Sequence, residues 1–489
     1  MKDRLYGLGR QTLVYGVSAA ALQIVGLITL PVFARVFAPG EYGALEIATV
    51  GLSAMLVVAD LGMASSSQRS YFDYSDEETA ERRTVLATGL ATAVAAASLL
   101  ALLLIVFRGP IAHALLHDRS RDTLVVLVAL ALPLSIVAAY TRAVMRLRFQ
   151  AWRYTVSAAG AAAISGALSV ALVLASNVGI DGVLIGLLAG NALAVLYGLA
   201  VTRRDVSARL SRRELRVMLA YGLPLLPAAA AMWGLTFLDR VMLSALADLD
   251  EVGEYAVGAR FSSVLMFVVT AFGLAYAPFM LSLFAEDREV EKQVRGRTLT
   301  YVAIVLTGLS LALALFAREI ASVVAPAFTN AYQVVGILCL GVTIYGLSSV
   351  TMGGISLARR TGYFAVYSGV AVAVNVVLNF ALIPPLGGYG AALATAGAFA
   401  ALTILYYRRA QALYPTPFRP GKPVIVLLAG AALMPLGFLP LGLGAVALKL
   451  LALVAFAALV LGAVLDTPEL SELRTLGRRL ARRPAPSPR

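Results

Sequence analysis

Long apolar runs recur almost from one end of this chain to the other, separated by short polar breaks in which arginine is the commonest charge. That pattern leaves little choice of fold. A run of about 20 apolar residues can cross a bilayer as a helix, and lipid offers an open backbone no hydrogen-bond partner. Composition agrees: 60% of the residues are hydrophobic and 14% charged, with a mean hydropathy of +0.84, far from the balance of a soluble globular chain. The sequence therefore predicts an all-α integral membrane protein. No cleavable leader is expected, because the first apolar run, about 13–36, is long enough to span.

Fourteen spans are expected, centred near Val25, Val50, Ala95, Ala129, Ser165, Gly190, Ala230, Met266, Thr307, Val342, Val374, Gly397, Ala431 and Phe456. The charges test this alternation. With the amino terminus cytoplasmic, thirty-two of the 40 lysines and arginines fall on the inner side, as the positive-inside rule requires. Outside fall Arg35, Arg108, Arg119, Arg121 and Arg318, while Arg240, Arg260 and Lys449 sit within or beside spans; Lys449 suggests no role. The expectation is a multi-pass protein of the cytoplasmic membrane with both termini inside. The net charge of +13 is spread over many connectors, which argues against nucleic acid as a partner.

Gly-Glu-Tyr occurs twice, at Gly40-Glu41-Tyr42 after the first span and at Gly253-Glu254-Tyr255 after the seventh. Tyr15-Gly16 and Tyr221-Gly222, Arg35 and Arg240, and Gly182 and Gly390 recur in the same order about two hundred residues apart. These matches predict two parallel six-helix bundles, each entering from the same side. The expected organisation is an N-terminal lobe over 1–202, an arginine-rich cytoplasmic linker over 203–214, a C-terminal lobe over 215–412, two additional helices over 413–466 and a basic cytoplasmic tail over 467–489. At the first corner Pro39-Gly40 stops a helix and turns the chain, Glu41 places a negative charge at the amino end of the next helix, and Tyr42 suits a membrane interface.

The segment NVVLNFALIPPLGGYGAALATAGAF, residues 375–399, resembles the span eleven to twelve signature of the multidrug/oligosaccharidyl-lipid/polysaccharide exporter superfamily. LPLLPAAAAMWGLTFLDRVMLSALADLDEVGEYAVGARF, residues 223–261, resembles spans seven and eight of its polysaccharide flippase branch, which serves O-antigen and exopolysaccharide synthesis. The opening YGVSAAALQIVGLITLPVFARVFAPGEYG and the DLGM from Asp60 to Met63 are similar to that branch too. The resemblance covers nearly the whole chain. It implies two six-helix bundles facing each other around a central cavity, two flanking C-terminal helices, and alternating access. The implied cargo is a polyprenyl-pyrophosphate-linked oligosaccharide moved from the inner to the outer leaflet, with membrane lipid and glycan-assembly proteins as partners. A multidrug antiporter or a lipid II flippase would use the same fold.

Carrying an anionic head through the bilayer calls for deep cations and polar groups. Arg260 and Arg240 are the leading candidates, because intramembrane charge is costly and arginine offers paired donors to pyrophosphate. Arg35, the approximate repeat mate of Arg240, and Arg69 could line the same vestibule, or could merely snorkel. These deep charges lean basic. Asp60 and Asp239 are compatible with coupling to a proton or sodium, but also with structural pairing to a nearby arginine. Asn375 and Asn379 share a helix face, where they could meet sugar or bond a neighbouring helix. Pro31, Pro133, Pro224, Pro227, Pro278 and the Pro384-Pro385 pair mark where spans could bend.

His113 and His117 are spaced i,i+4 in the external loop 108–122, with no third ligand in view, so no metal site or cofactor is expected. That loop is short for a catalytic domain, and no phosphate-binding nucleotide motif is present, so the chain reads as a transporter and not as a glycan polymerase or ligase. The single cysteine, Cys339, lies in an apolar run and reads as packing.

Overall fold

A computed structural model describes residues 24–466 apart from 76, 177, 207 and 208. Tyr15-Gly16, the start of the first span and the basic tail over 467–489 lie outside the described residues. Every regular element described is helical. Twelve helices are long and apolar enough to cross a membrane. The longest of them, Gly362–Leu413, turns at Gly387 and supplies two limbs, and the shorter apolar helix Ile24–Val36 adds another. Fourteen apolar helical segments thus occupy the positions of the fourteen expected spans, the first of them described only from Ile24.

In chain order the N-terminal lobe contains α1 (Ile24–Val36), α2 (Pro39–Asp60), the short α3 (Met63–Tyr71), α4 (Thr79–Val106), α5 (Arg108–Leu116), α6 (Asp122–Leu147), α7 (Ala151–Ala175) and α8 (Asp181–Thr202). The connecting helix α9 (Arg212–Gly222) leads into α10 (Leu226–Leu246), α11 (Leu249–Glu286), α12 (Arg288–Val324), α13 (Tyr332–Thr351), α14 (Gly353–Leu357) and the two-limbed α15 (Gly362–Leu413). Two further helices, α16 (Gly421–Leu433) and α17 (Leu443–Leu459), pack on α12.

The pairings of one lobe recur in the other. In the first, α2 meets α4 and α6, α4 meets α6, and α8 meets α6 and α7; in the second, α11 meets α12 and α13, α12 meets α13, and α13 meets α15. Helix ends are sealed locally where they leave the apolar layer. Asp248 accepts the Glu251 N–H at 2.8 Å, and Asp287 accepts the Glu289 N–H at 2.8 Å, each satisfying an orphan donor of a first helical turn.

The repeated Gly-Glu-Tyr is where the lobes meet. The first turns of α2 and α11 cross so closely that a Cβ on Gly43 would sit 1.9 Å from the Leu249 carbonyl oxygen, and one on Gly253 would sit 2.0 Å from that of Pro39. Only glycine allows two backbones to approach this far. The tyrosines are not at a membrane interface, as the sequence suggested: Tyr42 is buried edge-on against Phe328, with ring centroids 5.5 Å apart, and Tyr255 is buried inside the second lobe. The glutamates also diverge, since Glu41 accepts the N–H of its own Ala38 (3.1 Å) and Glu254 accepts that of Asn330 before α13 (3.2 Å).

At the opposite end, where the arginine-rich connectors gather, α2 breaks from α3 at Leu61 and Gly62, both at positive φ. A Cβ on Gly62 would lie 2.6 Å from the Gly222 Cα, so the break rests on the junction of α9 with α10. The lobes therefore touch at both ends. Lys449, which suggested no role, is fully buried and donates to Glu319 at 2.6 Å, tying α17 to α12. Loop 108–122 is mostly the short helix α5. His117 ends that helix and bonds the Ser244 carbonyl oxygen of α10 at 2.8 Å.

Candidate functional site

The site is centred on Glu46, a carboxylate on the buried face of α2 with 7% of its surface exposed. An unpaired charge there would be strongly unfavourable, and both lobe-facing arginines of the second bundle reach it. Arg240 on α10 places Nε 2.8 Å from Glu46 Oε1, and Arg260 on α11 places Nη2 3.4 Å from Glu46 Oε2. Arg240 also pairs with its neighbour Asp239 at 3.1 Å and lies over the rings of Phe237 and Tyr255.

From Asp239 the network continues into the second lobe. Its Oδ2 accepts hydrogen bonds from the Tyr255 hydroxyl and, at 3.2 Å, from Thr395 Oγ1. The Asn375 amide reaches Thr395 Oγ1 at 3.5 Å, and the Asn379 amide donates to Asn375 Oδ1 at 2.9 Å. Both asparagines are buried and bond within and between helix limbs. Five of the residues singled out from the sequence, Arg240, Arg260, Asp239, Asn375 and Asn379, thus join one chain of contacts.

The sequence did not single out the acid that binds them. Because Glu46 stands between two arginines and Asp239 beside one, the deep charges are largely compensated and do not lean simply basic. The signal was available: Glu46 interrupts the apolar run ALEIATVGLSAMLVV, and a carboxylate inside a span calls for a partner.

Arg260 keeps 45% of its side chain exposed and borders a cavity of about 520 Å³ otherwise walled by the first lobe. Small residues open this space, among them Gly26 on α1, Ala158, Ala161 and Gly166 on α7, and Gly190 on α8. Thr29, Thr49, Tyr154, Ser165 and Asn191 give it polar walls, and Arg142 of α6 adds a second cation with no anionic partner among the described residues. Arg142 was counted from the sequence with a cytoplasmic connector, because it sits where the apolar run of α6 gives way to RAVMRLR. Donors of this kind around an open space suit an oxygen-rich anion.

The remaining sequence candidates lie apart. Arg35 donates to the Val323 carbonyl oxygen at the end of α12 (2.8 Å), bridging the lobes outside the cavity. Arg69 lies over the Tyr221 ring, 4.7 Å from its centroid. Asp60 accepts the Ala64 N–H at 3.2 Å across the α2–α3 break, and among the described residues it has no ion pair with an arginine. No cluster of three or more metal-binding side chains occurs among the described residues.

Residues 8–284, more than half the chain, match the family described as polysaccharide biosynthesis protein. The uncharacterized membrane protein MJ1068 of Methanocaldococcus jannaschii is 22% identical over 264 residues, covering 52% of this chain and 52% of that one, so the match spans about half the length of this relative. Among solved structures, the lipid II flippase MurJ in an inward closed conformation is similar with a TM-score of 0.73 at 15% identity, over 91% of this chain and 98% of that one. An inward-facing multidrug resistance MATE family transporter gives 0.66 at 12% identity, over 81% and 96%. A transporter of the same superfamily from Pyrococcus furiosus gives 0.60 at 11%, over 83% and 95%. At these identities the likeness is one of fold. The chain belongs to the polysaccharide biosynthesis protein family, a multi-pass membrane protein with the fold of the multidrug/oligosaccharidyl-lipid/polysaccharide exporter superfamily.

Proposed function

We propose that this protein is a flippase that moves a polyprenyl-pyrophosphate-linked oligosaccharide from the inner to the outer leaflet of the cytoplasmic membrane. The observation that carries the reading is the cavity bordered by Arg142 and Arg260 and walled by hydroxyl and amide side chains, in a chain of a polysaccharide biosynthesis family. Pyrophosphate needs cationic donors held out of bulk water, and a glycan needs neutral polar groups around them. The arginine end faces the cytoplasm in this reading, with both termini inside. Transport proceeds by alternating access: the contacts around Gly43 and Gly253 part on one side while those around Gly62 and Gly222 hold on the other. The lobes are the expected 1–202 and 215–412, with 203–214 as the link. Asp239 acts here as the structural partner of Arg240, because both its oxygens already accept bonds.

Depletion of the protein in its host, followed by mass spectrometry of polyprenyl-pyrophosphate-linked sugars in the inner membrane, tests the reading. One completed lipid-linked oligosaccharide should accumulate and clear when wild-type protein is restored. Unchanged pools with altered drug accumulation would overturn it in favour of a multidrug antiporter.

A further inference from the structure

A second polar cavity, about 350 Å³, lies at the arginine end of the second lobe, between α12 and the start of α16. Three of its lining residues, Gln293, Arg297 and Thr300, follow one another at i, i+4 and i+7 on α12 and so share a face. Thr300 is only 4% exposed. Neither its hydroxyl, nor the Gln293 amide, nor the Arg297 guanidinium has a hydrogen-bond or ion-pair partner among the described residues. A hydroxyl that lines a cavity with no partner in the surrounding protein is free to bond whatever enters the cavity.

The facing wall adds two more cations, Arg419 of the connector and Lys422 of α16, and among the described residues one carboxylate stands between them. Asp466 accepts from Arg419 Nη1 at 2.7 Å and from Lys422 Nζ at 3.0 Å. The Lys422 ammonium holds the Asp466 carboxyl below its usual range, so it stays charged and orients both donors. Among the described residues three cations line the pocket against one carboxylate, and an arginine held by one oxygen retains further N–H donors. The pocket also sits at a defined depth. The first turns of α12 read REVEKQVRGRT, and the helix carries no further charge until Arg318, so the pocket lies where its charged end gives way to its apolar run, as a site for a lipid headgroup would.

We propose that this pocket binds a phosphate group, presented by an anionic phospholipid headgroup or by a free phosphate ester. Bound there, the phosphate joins α12 to the connector and α16, across the seam where the C-terminal helix pair is attached. The site is separate from the Arg260 cavity and does not depend on the flippase reading.

The test uses full-length purified protein in detergent, with native mass spectrometry against phosphatidylglycerol and phosphatidylcholine, and with inorganic phosphate as competitor. Wild-type protein should retain one phosphatidylglycerol at least about tenfold more tightly than phosphatidylcholine. Arg297→Ala with Arg419→Gln should lose about that factor, as expected for the removal of charge-assisted bonds. Thr300→Val should lose less, and Arg288→Ala, at the same end but outside the pocket, should lose nothing. Displacement by millimolar phosphate would support the site and identify a free ester as sufficient; retention of lipid against phosphate would support it and identify the headgroup. Equal retention of both lipids, unchanged binding in a double variant that still melts normally, or an equal loss in Arg288→Ala would overturn it.

Discussion

The two lobes share one set of helix pairings but use corresponding space differently. Between α1, α7 and α8 the first lobe leaves a cavity, opened by glycine, alanine and serine and lined with polar groups that bond locally or to an adjacent helix, as Thr49 does to the Glu46 carbonyl oxygen and Asn191 to Ser135. Between α10 and the two limbs of α15, the second lobe closes that space with a connected polar network running from Asp239 through Tyr255 and Thr395 to Asn375 and Asn379. The same scaffold thus provides a wall with room for a ligand and a wall braced against deformation. Arg260 belongs to both: it is carried by the braced lobe and reaches the open one.

The largest effect should come from removing the brace. Asp239→Ala takes away a counter-charge of Arg240 and the acceptor for Tyr255 and Thr395, all in a buried setting. Loss of one partner from such a pair costs about 3–5 kcal/mol. The matching change in the open lobe, Ser165→Ala, removes a hydroxyl beside a cavity and should cost less than about 1 kcal/mol. Thermal unfolding of the two variants in the same detergent compares the lobes directly. Equal shifts would mean that the network carries no more stability than the cavity wall.

Next comes function without loss of fold. Arg260→Ala should lower transport by roughly tenfold or more, since bonds from a charged donor to a ligand contribute about 1.5–3 kcal/mol. Because Glu46 keeps Arg240, unfolding should shift less than in Asp239→Ala, and Arg260→Lys should restore part of the activity. Full transport by the folded alanine variant would remove Arg260 from the ligand site. Arg142→Ala tests whether the open lobe contributes its own cation; the same assay should show a smaller loss, because this residue lies farther from Glu46 and Arg240.

The contact between the lobes can be disturbed separately. Gly43→Ala would drive a methyl group into the Leu249 carbonyl, and overpacking of this kind costs about 1–3 kcal/mol. Because the clash is relieved when the lobes part, the variant should favour the state opened at that end. Labelling of a cysteine introduced at Thr49, in a background with Cys339 replaced, should then speed up for a reagent added from the side of the Gly-Glu-Tyr turns. Unaltered labelling would mean that the crossing does not separate.

Much of this architecture was legible in the chain because its causes are local. Span number follows from run length and from arginine placement, and the repeat shows in Gly-Glu-Tyr, although the close backbone crossing needs glycine at Gly253 of the second copy and at Gly43, just beyond the first. What the motif does was less legible: Tyr42 and Tyr255 are buried, and nothing nearby in the sequence says what each one faces. The site follows the same division. Arg240, Arg260 and Asp239 stand out because charge inside a span is rare. Glu46 carries the same signal, yet its meaning depends on two arginines more than 190 residues away. The cavity was illegible because small residues in a span are written alike whether they line a space or admit a neighbouring helix, as Gly341 admits Ala396.

The smallest effect should arise at the edge of the lobe contact, and it bears on how the two lobes are held. His117 bonds the Ser244 carbonyl oxygen, while the Ser244 hydroxyl donates to the Leu115 carbonyl oxygen at 3.0 Å. These two bonds fasten the end of α5 to the end of α10 from opposite directions. Each such bond contributes about 1 kcal/mol, too little to hold the lobes together but enough to bias an exchange between two nearly balanced states, where 1.4 kcal/mol is a tenfold change. His117→Ala should therefore leave unfolding within about 1 kcal/mol of wild type while speeding the same Thr49 labelling severalfold, and Ser244→Ala should act alike. The double variant separates two pictures. If it adds nothing to the single ones, the bonds form one latch that opens as a unit; if the effects add, each bond holds its own strand of the contact and the lobes part in steps.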